Sequence, residues 1–120
     1  MVEGVPTSQT FEEEGCAMRF LIRASWDVEA GNALAKKGRL GTTIQSILAD
    51  LKPEAAYFLA EKGQRTAFLI VHMQDASQLP AVAEPWFLAV NASIEATPVM
   101  LPEDLEKAGP SIEQAAKKYG

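Results

Sequence analysis

Cysteine and histidine are nearly missing from this chain of 120 residues, which has one of each. The single thiol, Cys16, excludes an intrachain disulfide, and such sparing use of cysteine fits a reducing cytoplasm. Cys16 and His72, far apart in sequence, give no ligand spacing, so no metal site is expected. Basic charge is also short: 11 Lys and Arg stand against 16 Asp and Glu, for a net charge of -5. The largest basic clusters are the pairs Lys36-Lys37 and Lys117-Lys118, which argues against nucleic acid as a partner. Long apolar runs are absent, none approaching the roughly 20 residues that cross a bilayer. Glu3 and Glu12 to Glu14 stand where a secretory signal carries basic and apolar residues. The expectation is a cytoplasmic protein with no membrane partner. No Ser-His-Asp arrangement is suggested by spacing, and Gly31, Gly38 and Gly41 lie too far from a strand to cradle phosphate.

What the chain does have is enough apolar residue, 48% against 22% charged, to build one ordinary globular core. Two runs dominate, Met18 to Asp27 and Thr66 to Asp75. Each is a stretch of strand-forming residues that closes on an Asp and passes into a helical pattern. Residues 1–17, with Gly4, Pro6, Gly15 and the glutamate run, read as a flexible N-terminal arm ahead of a domain over 18–101. Met18 opens directly onto the first strand and is the expected natural start; the competing reading is an arm that packs on a partner subunit.

Asp27 is an N-cap for a helix from Val28, with Glu29 well placed in the first turn. Leu40, Ile44, Ile47, Leu48 and Leu51 form one apolar stripe, although Gly38 and Gly41 weaken the middle and divide the helix. Pro53 ends it. A hairpin follows, Ala55 to Glu61 turning through Lys62-Gly63 into a strand from Arg65. Asp75 or Ser77 caps a second helix, which Pro85 is expected to break into two pieces. Ser93 to Leu101 alternates as a fourth strand, and Pro98 assigns it to a sheet edge or a bulge. Residues 102–120 read as a helical tail starting near Glu103 and Ser111. The succession strand, helix, strand, strand, helix, strand predicts an α+β domain of ferredoxin-like βαββαβ topology, with a four-stranded antiparallel sheet and both helices on one face.

That topology leaves a face uncovered. Met18, Phe20, Ile22 and Ala24 alternate with Arg19, Leu21, Arg23 and Ser25, and the first set suits the helices. In the third strand Phe68, Ile70 and His72 oppose Ala67, Leu69, Val71 and Met73, so both faces are apolar apart from the histidine. A strand apolar on both faces should be covered on both. A second copy of the sheet is the simplest cover, since burying about 600 Å² of apolar surface per subunit is worth on the order of 15 kcal/mol before association costs. A homodimer through the sheet face is therefore expected; the alternative is a tail folded across a monomer.

The Met18-Arg19-Phe20-Leu21-Ile22 start, the hairpin, the Phe68 to Val71 strand and Pro85-Trp86-Phe87 followed by Ile94-Glu95-Ala96-Thr97-Pro98-Val99 resemble the dimeric α/β-barrel superfamily over Met18 to about Leu101. That superfamily includes muconolactone isomerases and cofactor-free antibiotic-biosynthesis-type monooxygenases; the final segment is most similar to the muconolactone isomerases and to short uncharacterised bacterial domains. The resemblance implies two sheets packed as a dimeric barrel, and it transfers a shape more than a chemistry. In haem-degrading relatives of that superfamily a lone histidine ligates the haem, but no cofactor is expected here.

The candidate catalytic residues are His72, near the end of the third strand, and Tyr57. With a two-residue hairpin loop, Tyr57 falls opposite Phe68 and shares a face with Ile70 and His72. Arg19 and Arg23 share one face about 13 Å apart and suit a carboxylate ligand or, equally, salt bridges such as one to Glu95. Trp26, Trp86 and Phe87 serve either to wall an apolar pocket or to fill the core. The candidate ligand-binding set is Arg19, Arg23, Trp26 and Glu95. The resulting expectation is a small dimeric barrel protein that binds an apolar or carboxylated metabolite in its cleft. The alternative is a cofactor-independent isomerase or monooxygenase, in which His72 moves a proton, an arginine holds an anionic group and Tyr57 orients the substrate.

Overall fold

The computed structural model describes residues 17–120, so the N-terminal arm expected over 1–17, with Cys16, lies outside the described residues but for Ala17. The elements are β1 (Met18–Ser25), α1 (Val28–Lys36), α2 (Leu40–Leu51), β2 (Ala55–Glu61), β3 (Gln64–Met73), a single 3-10 turn over Ala76–Gln78, α3 (Leu79–Val90), β4 (Ser93–Pro98), α4 (Pro102–Lys107) and α5 (Gly109–Tyr119). The four strands form one sheet in the order β2-β3-β1-β4, every neighbouring pair antiparallel. None of the helices among the described residues is long and apolar enough to cross a membrane.

Local chemistry explains most boundaries. The Asp27 carboxylate accepts a hydrogen bond from the Ala30 amide at 2.9 Å and starts α1. Gly38, with φ +69°, takes the left-handed step that separates α1 from α2. Lys62 and Gly63 both have positive φ, as a two-residue type I′ hairpin demands, and this sets Tyr57 opposite Phe68. Asp75 caps the turn that leads into α3, its carboxylate taking the Ser77 amide at 2.9 Å. Pro98 closes β4 at the sheet edge, where a missing amide hydrogen costs nothing.

Pro85 does not break its helix: α3 runs unbroken from Leu79 to Val90 with the proline inside. The cost of a lost backbone hydrogen bond, about 3 kcal/mol, is met by burial on both sides of it. Val82, Ala83, Trp86 and Val90 of this helix are all buried. Packing therefore overrides the local breaker.

The core lies between the sheet and α1 to α3. Ile22 and Ala24 of β1 and Ala67, Leu69, Val71 and Met73 of β3 are buried against Ile47, Val82, Trp86 and Val90. Register alternation places Ile22 beside Leu69 and Ala24 beside Ala67 on this face. Trp26, just after β1, stacks on Trp86 with ring centroids 5.6 Å apart. Both indole N–H groups are buried without a hydrogen-bond partner, so the pair is held by apolar contact alone. Gly31 lets α1 approach this stack, since a Cβ there would lie 3.1 Å from the Trp26 ring.

Trp86→Ala should lower unfolding free energy by about 3–5 kcal/mol, whereas Leu88→Ala, at a position 80% exposed on the same helix, should change it by less than about 0.5 kcal/mol. Denaturant titration of the two variants checks the contrast, and equal losses would contradict this placement of the core.

Candidate functional site

The sheet face away from the helices carries the residues of interest. Cross-strand register aligns Arg19 with His72, Leu21 with Ile70, Arg23 with Phe68 and Ser25 with Thr66. On the flanks it aligns Tyr57 with Phe68 and Arg23 with Glu95. Because all of these occupy the same alternation phase, Arg19, Arg23, Tyr57, His72 and Glu95 project from one surface. Trp26 does not join them, being buried in the core behind the sheet.

Two polar clusters sit on this face with an apolar centre between them. In the first, Glu54 receives hydrogen bonds from Arg19 Nε at 2.7 Å and from His72 Nε2 at 2.8 Å, both on Oε1. Arg19 Nη2 reaches the other carboxylate oxygen at 3.4 Å. The Arg19 hydrogen bond holds the Glu54 carboxyl below its ordinary range, opposed by partial desolvation and helped by the His72 hydrogen bond. Glu54 is thus a carboxylate at neutral pH, and a neutral His72 ring that donates to it keeps its proton on Nε2. Nδ1 is then the nitrogen with a free lone pair.

The second cluster centres on Arg23, whose guanidinium lies 3.6 Å from Glu61 and 3.7 Å from Glu95 and 5.2 Å from the centre of the Phe68 ring. Tyr57, 65% exposed, stands next to Phe68. The two clusters are about 13 Å apart, four residues along β1. Leu21, Ile70 and Phe68 fill the space between them and are only half covered.

Sequence reasoning passed over two members, Glu61, read only as the end of a hairpin strand, and Glu54. Glu54 follows a left-handed Lys52, with φ 47°, and Pro53, and it precedes the regular part of β2. Its amide bonds the Ile70 carbonyl at 2.8 Å, so it is tied to β3 without sharing the alternation of β2. Counting back through the strand by twos from Tyr57 would assign it to the helix side; the bend re-aims it.

Two of the concave regions among the described residues lie elsewhere. One of about 290 Å³ is lined by Met18, Phe20, Met73, Ala76 and Leu79 at the end of the sheet near Asp75. Another, of about 240 Å³, touches Trp26, Leu40, Ile44 and Phe58. Neither is lined by His72, Tyr57, Arg19 or Glu95. Among the described residues no three of His, Cys, Asp and Glu gather as a metal site.

Because the folded Glu54 pKa is lowered, its contribution to stability is present above its ordinary value of 4.5 and is lost as pH falls through the folded value. Unfolding free energy measured from pH 6 down to pH 3 should therefore fall more steeply for the native chain than for Glu54→Gln. Parallel curves would contradict the Arg19–Glu54–His72 geometry.

No curated protein and no solved structure is significantly similar to the chain. The family described as a domain of unknown function, DUF3303, matches residues 18–112, from the first residue of β1 into α5. The chain belongs to that family.

Proposed function

We propose that the protein works as a homodimer of ferredoxin-like domains whose open sheet faces pack together as a dimeric α/β barrel, enclosing a cleft for a small apolar or carboxylated molecule. The observation that carries this reading is the composition of the open face: Leu21, Phe68 and Ile70 at its centre, flanked by ion pairs already satisfied within the chain. A βαββαβ succession with strand order β2-β3-β1-β4 supports the ferredoxin-like assignment. The paired charges lower the cost of burying that face, because each carboxylate enters the interface with its cation. A second sheet laid over it would convert an open surface into a walled cleft bordered by His72, Tyr57 and the two arginines.

The hydrogen bond between His72 and Glu54 favours a further reading, acid–base catalysis without a cofactor. A carboxylate that fixes the imidazole tautomer leaves Nδ1 poised to accept a proton, which is the arrangement of a general base with its orienting partner. In such an isomerase or monooxygenase, Arg23 holds an anionic group, and Tyr57 orients the substrate from the neighbouring strand. Arg19 has the lesser claim on a substrate carboxylate, since Glu54 holds it at 2.7 Å while Glu61 and Glu95 stand off Arg23 at 3.6 and 3.7 Å.

Sedimentation velocity on the native chain should report a dimer, and Ile70→Asp should weaken association by at least about 100-fold by burying an unpaired charge. A native chain that remains monomeric at every concentration contradicts the barrel. Benzoate titrated against the dimer should move the amide resonances of Arg23 and His72, and Arg23→Met should abolish that response without changing the melting temperature by more than a few degrees. Benzoate shifts confined to the helix side contradict the cleft.

A further inference from the structure

The helix side of the sheet has an apolar cavity with one polar corner. Phe58 of β2 and Arg65 of β3 share the alternation phase of Ala67, which is buried under the helices. α2 covers this end of the sheet only in part, through Leu40 and Ile44, and Phe58 is left 48% exposed. Between α2 and the β2–β3 hairpin lies an open cavity of about 240 Å³, walled by Leu40, Ile44, Phe58 and Leu59.

Trp26, Arg65 and Thr66 complete the wall, and Arg65 is its single charged residue. The Thr66 hydroxyl is already engaged, by Ser25 Oγ at 3.0 Å and by the Gln64 carbonyl at 3.2 Å. The other two have donors to spare. Arg65 Nη1 donates to the Asn32 side-chain oxygen at 3.1 Å, and no carboxylate among the described residues pairs with the guanidinium. Most of its five N–H groups are therefore open. Trp26 is 2% exposed, and its Nε1 is buried without a partner.

The two sets of donors meet at Gly31. A Cβ on that glycine would lie 2.7 Å from Arg65 Nη1 and 3.1 Å from Trp26 Nε1. The Trp26 amide, bonded to the Arg65 carbonyl at 3.1 Å, keeps the residues side by side. What this corner lacks is an acceptor. A buried N–H left unpaired is costly, and an ionised oxygen both relieves it and matches the guanidinium. A carboxylate has two oxygens and can serve both donors. Since an apolar cavity of about 150 Å³ takes up benzene, this one has room for an apolar body of about five or six carbons.

We infer that this corner binds a small monocarboxylic acid, its carboxylate on the Arg65 guanidinium with one oxygen turned to Trp26 Nε1, and its apolar body along Leu40, Ile44 and Phe58. Nε1 is covered in the present arrangement, and the guanidinium, held to α1 through Asn32, is the group that shifts to admit the oxygen. Trp86 supplies the contrast, because its Nε1 is equally unpartnered but does not border this cavity. The site lies behind the sheet and within one subunit, so it stands whether or not the open faces pair.

Hexanoate titrated into the nitrogen-15-labelled full chain tests it. The Trp26 indole N–H peak and the Gly31 amide should move saturably, and the Trp86 indole peak should stay. Affinity read from the Trp26 peak should rise about fourfold for each methylene added from butanoate to hexanoate. Arg65→Met should weaken hexanoate binding by at least about tenfold, the loss of a hydrogen bond to a charged group. Asn32→Asp, which gives Arg65 a carboxylate from within the chain, should do the same without lowering the melting temperature, and it keeps the test valid if Arg65→Met fails to fold. An immobile Trp26 peak overturns the site. So does an affinity indifferent to chain length, which would mean ion pairing at the surface alone, or one that Asn32→Asp leaves unchanged. Hexanoate shifts limited to Arg23, His72 and their neighbours overturn this site and leave the open-face cleft standing, whereas Trp26 shifts that persist in an Ile70→Asp chain support it with sheet pairing lost.

Discussion

The antiparallel pairing of β1 with β3 is the contact from which the rest of this structure is built, because it sets apolar side chains on both faces of the two central strands. On one face Ile22 meets Leu69 and Ala24 meets Ala67, and three helices close over them. On the other, Leu21 meets Ile70 and Arg23 meets Phe68, and no element among the described residues packs there as a layer. Helices that follow β1 and β3 by right-handed crossovers must land on the same side. The asymmetry is therefore a consequence of topology, and no change of side chain on the helices would relieve it.

Charge placement on the open face follows the same register. Arg19 and His72 are direct cross-strand neighbours, which would set two cationic groups side by side at low pH. Glu54 lies between them and accepts from both, turning a repulsive pair into a bridged one. Arg23 is treated similarly by Glu61 from β2's end and Glu95 from β4. These pairs are partly exposed and individually weak contributors to stability. Their larger effect is to leave the face without an unpaired central charge, the condition under which a sheet surface can be buried at modest cost.

Much of this architecture was legible in the sequence, and the exceptions have identifiable causes. The strands, the two-residue hairpin, the glycine break at Gly38 and the edge position of Pro98 all express local rules that nothing contradicts. Pro85 was legible only as a breaker, because its tolerance depends on Trp86 and Val82 being buried together, a fact of three dimensions. Trp26 carried no signal to tell a pocket wall from core; its stack on Trp86 is between residues 60 apart in sequence. Counting alternation put Arg19 with Arg23 and Tyr57 with His72, whereas the strand registers are what join the two pairs and Glu95 on one face. Glu54 was invisible to that count because a bend, rather than a strand, presents it.

The position of Glu54 also constrains what the open face is able to do. A histidine on a solvated sheet needs no partner, and an arginine beside it is better left free if its task is to grip a ligand. Here both are committed to one carboxylate oxygen, Oε1, so the charge state of Glu54 governs both contacts together. Protonating Glu54 would release Arg19 and reopen His72 Nε2 at the same moment, while the Arg23 cluster, built on different carboxylates, would be untouched. The two ends of the face thus have separate chemistries. One is a single carboxylate shared by Arg19 and His72, and the other is Arg23 set between Glu61 and Glu95 over the Phe68 ring.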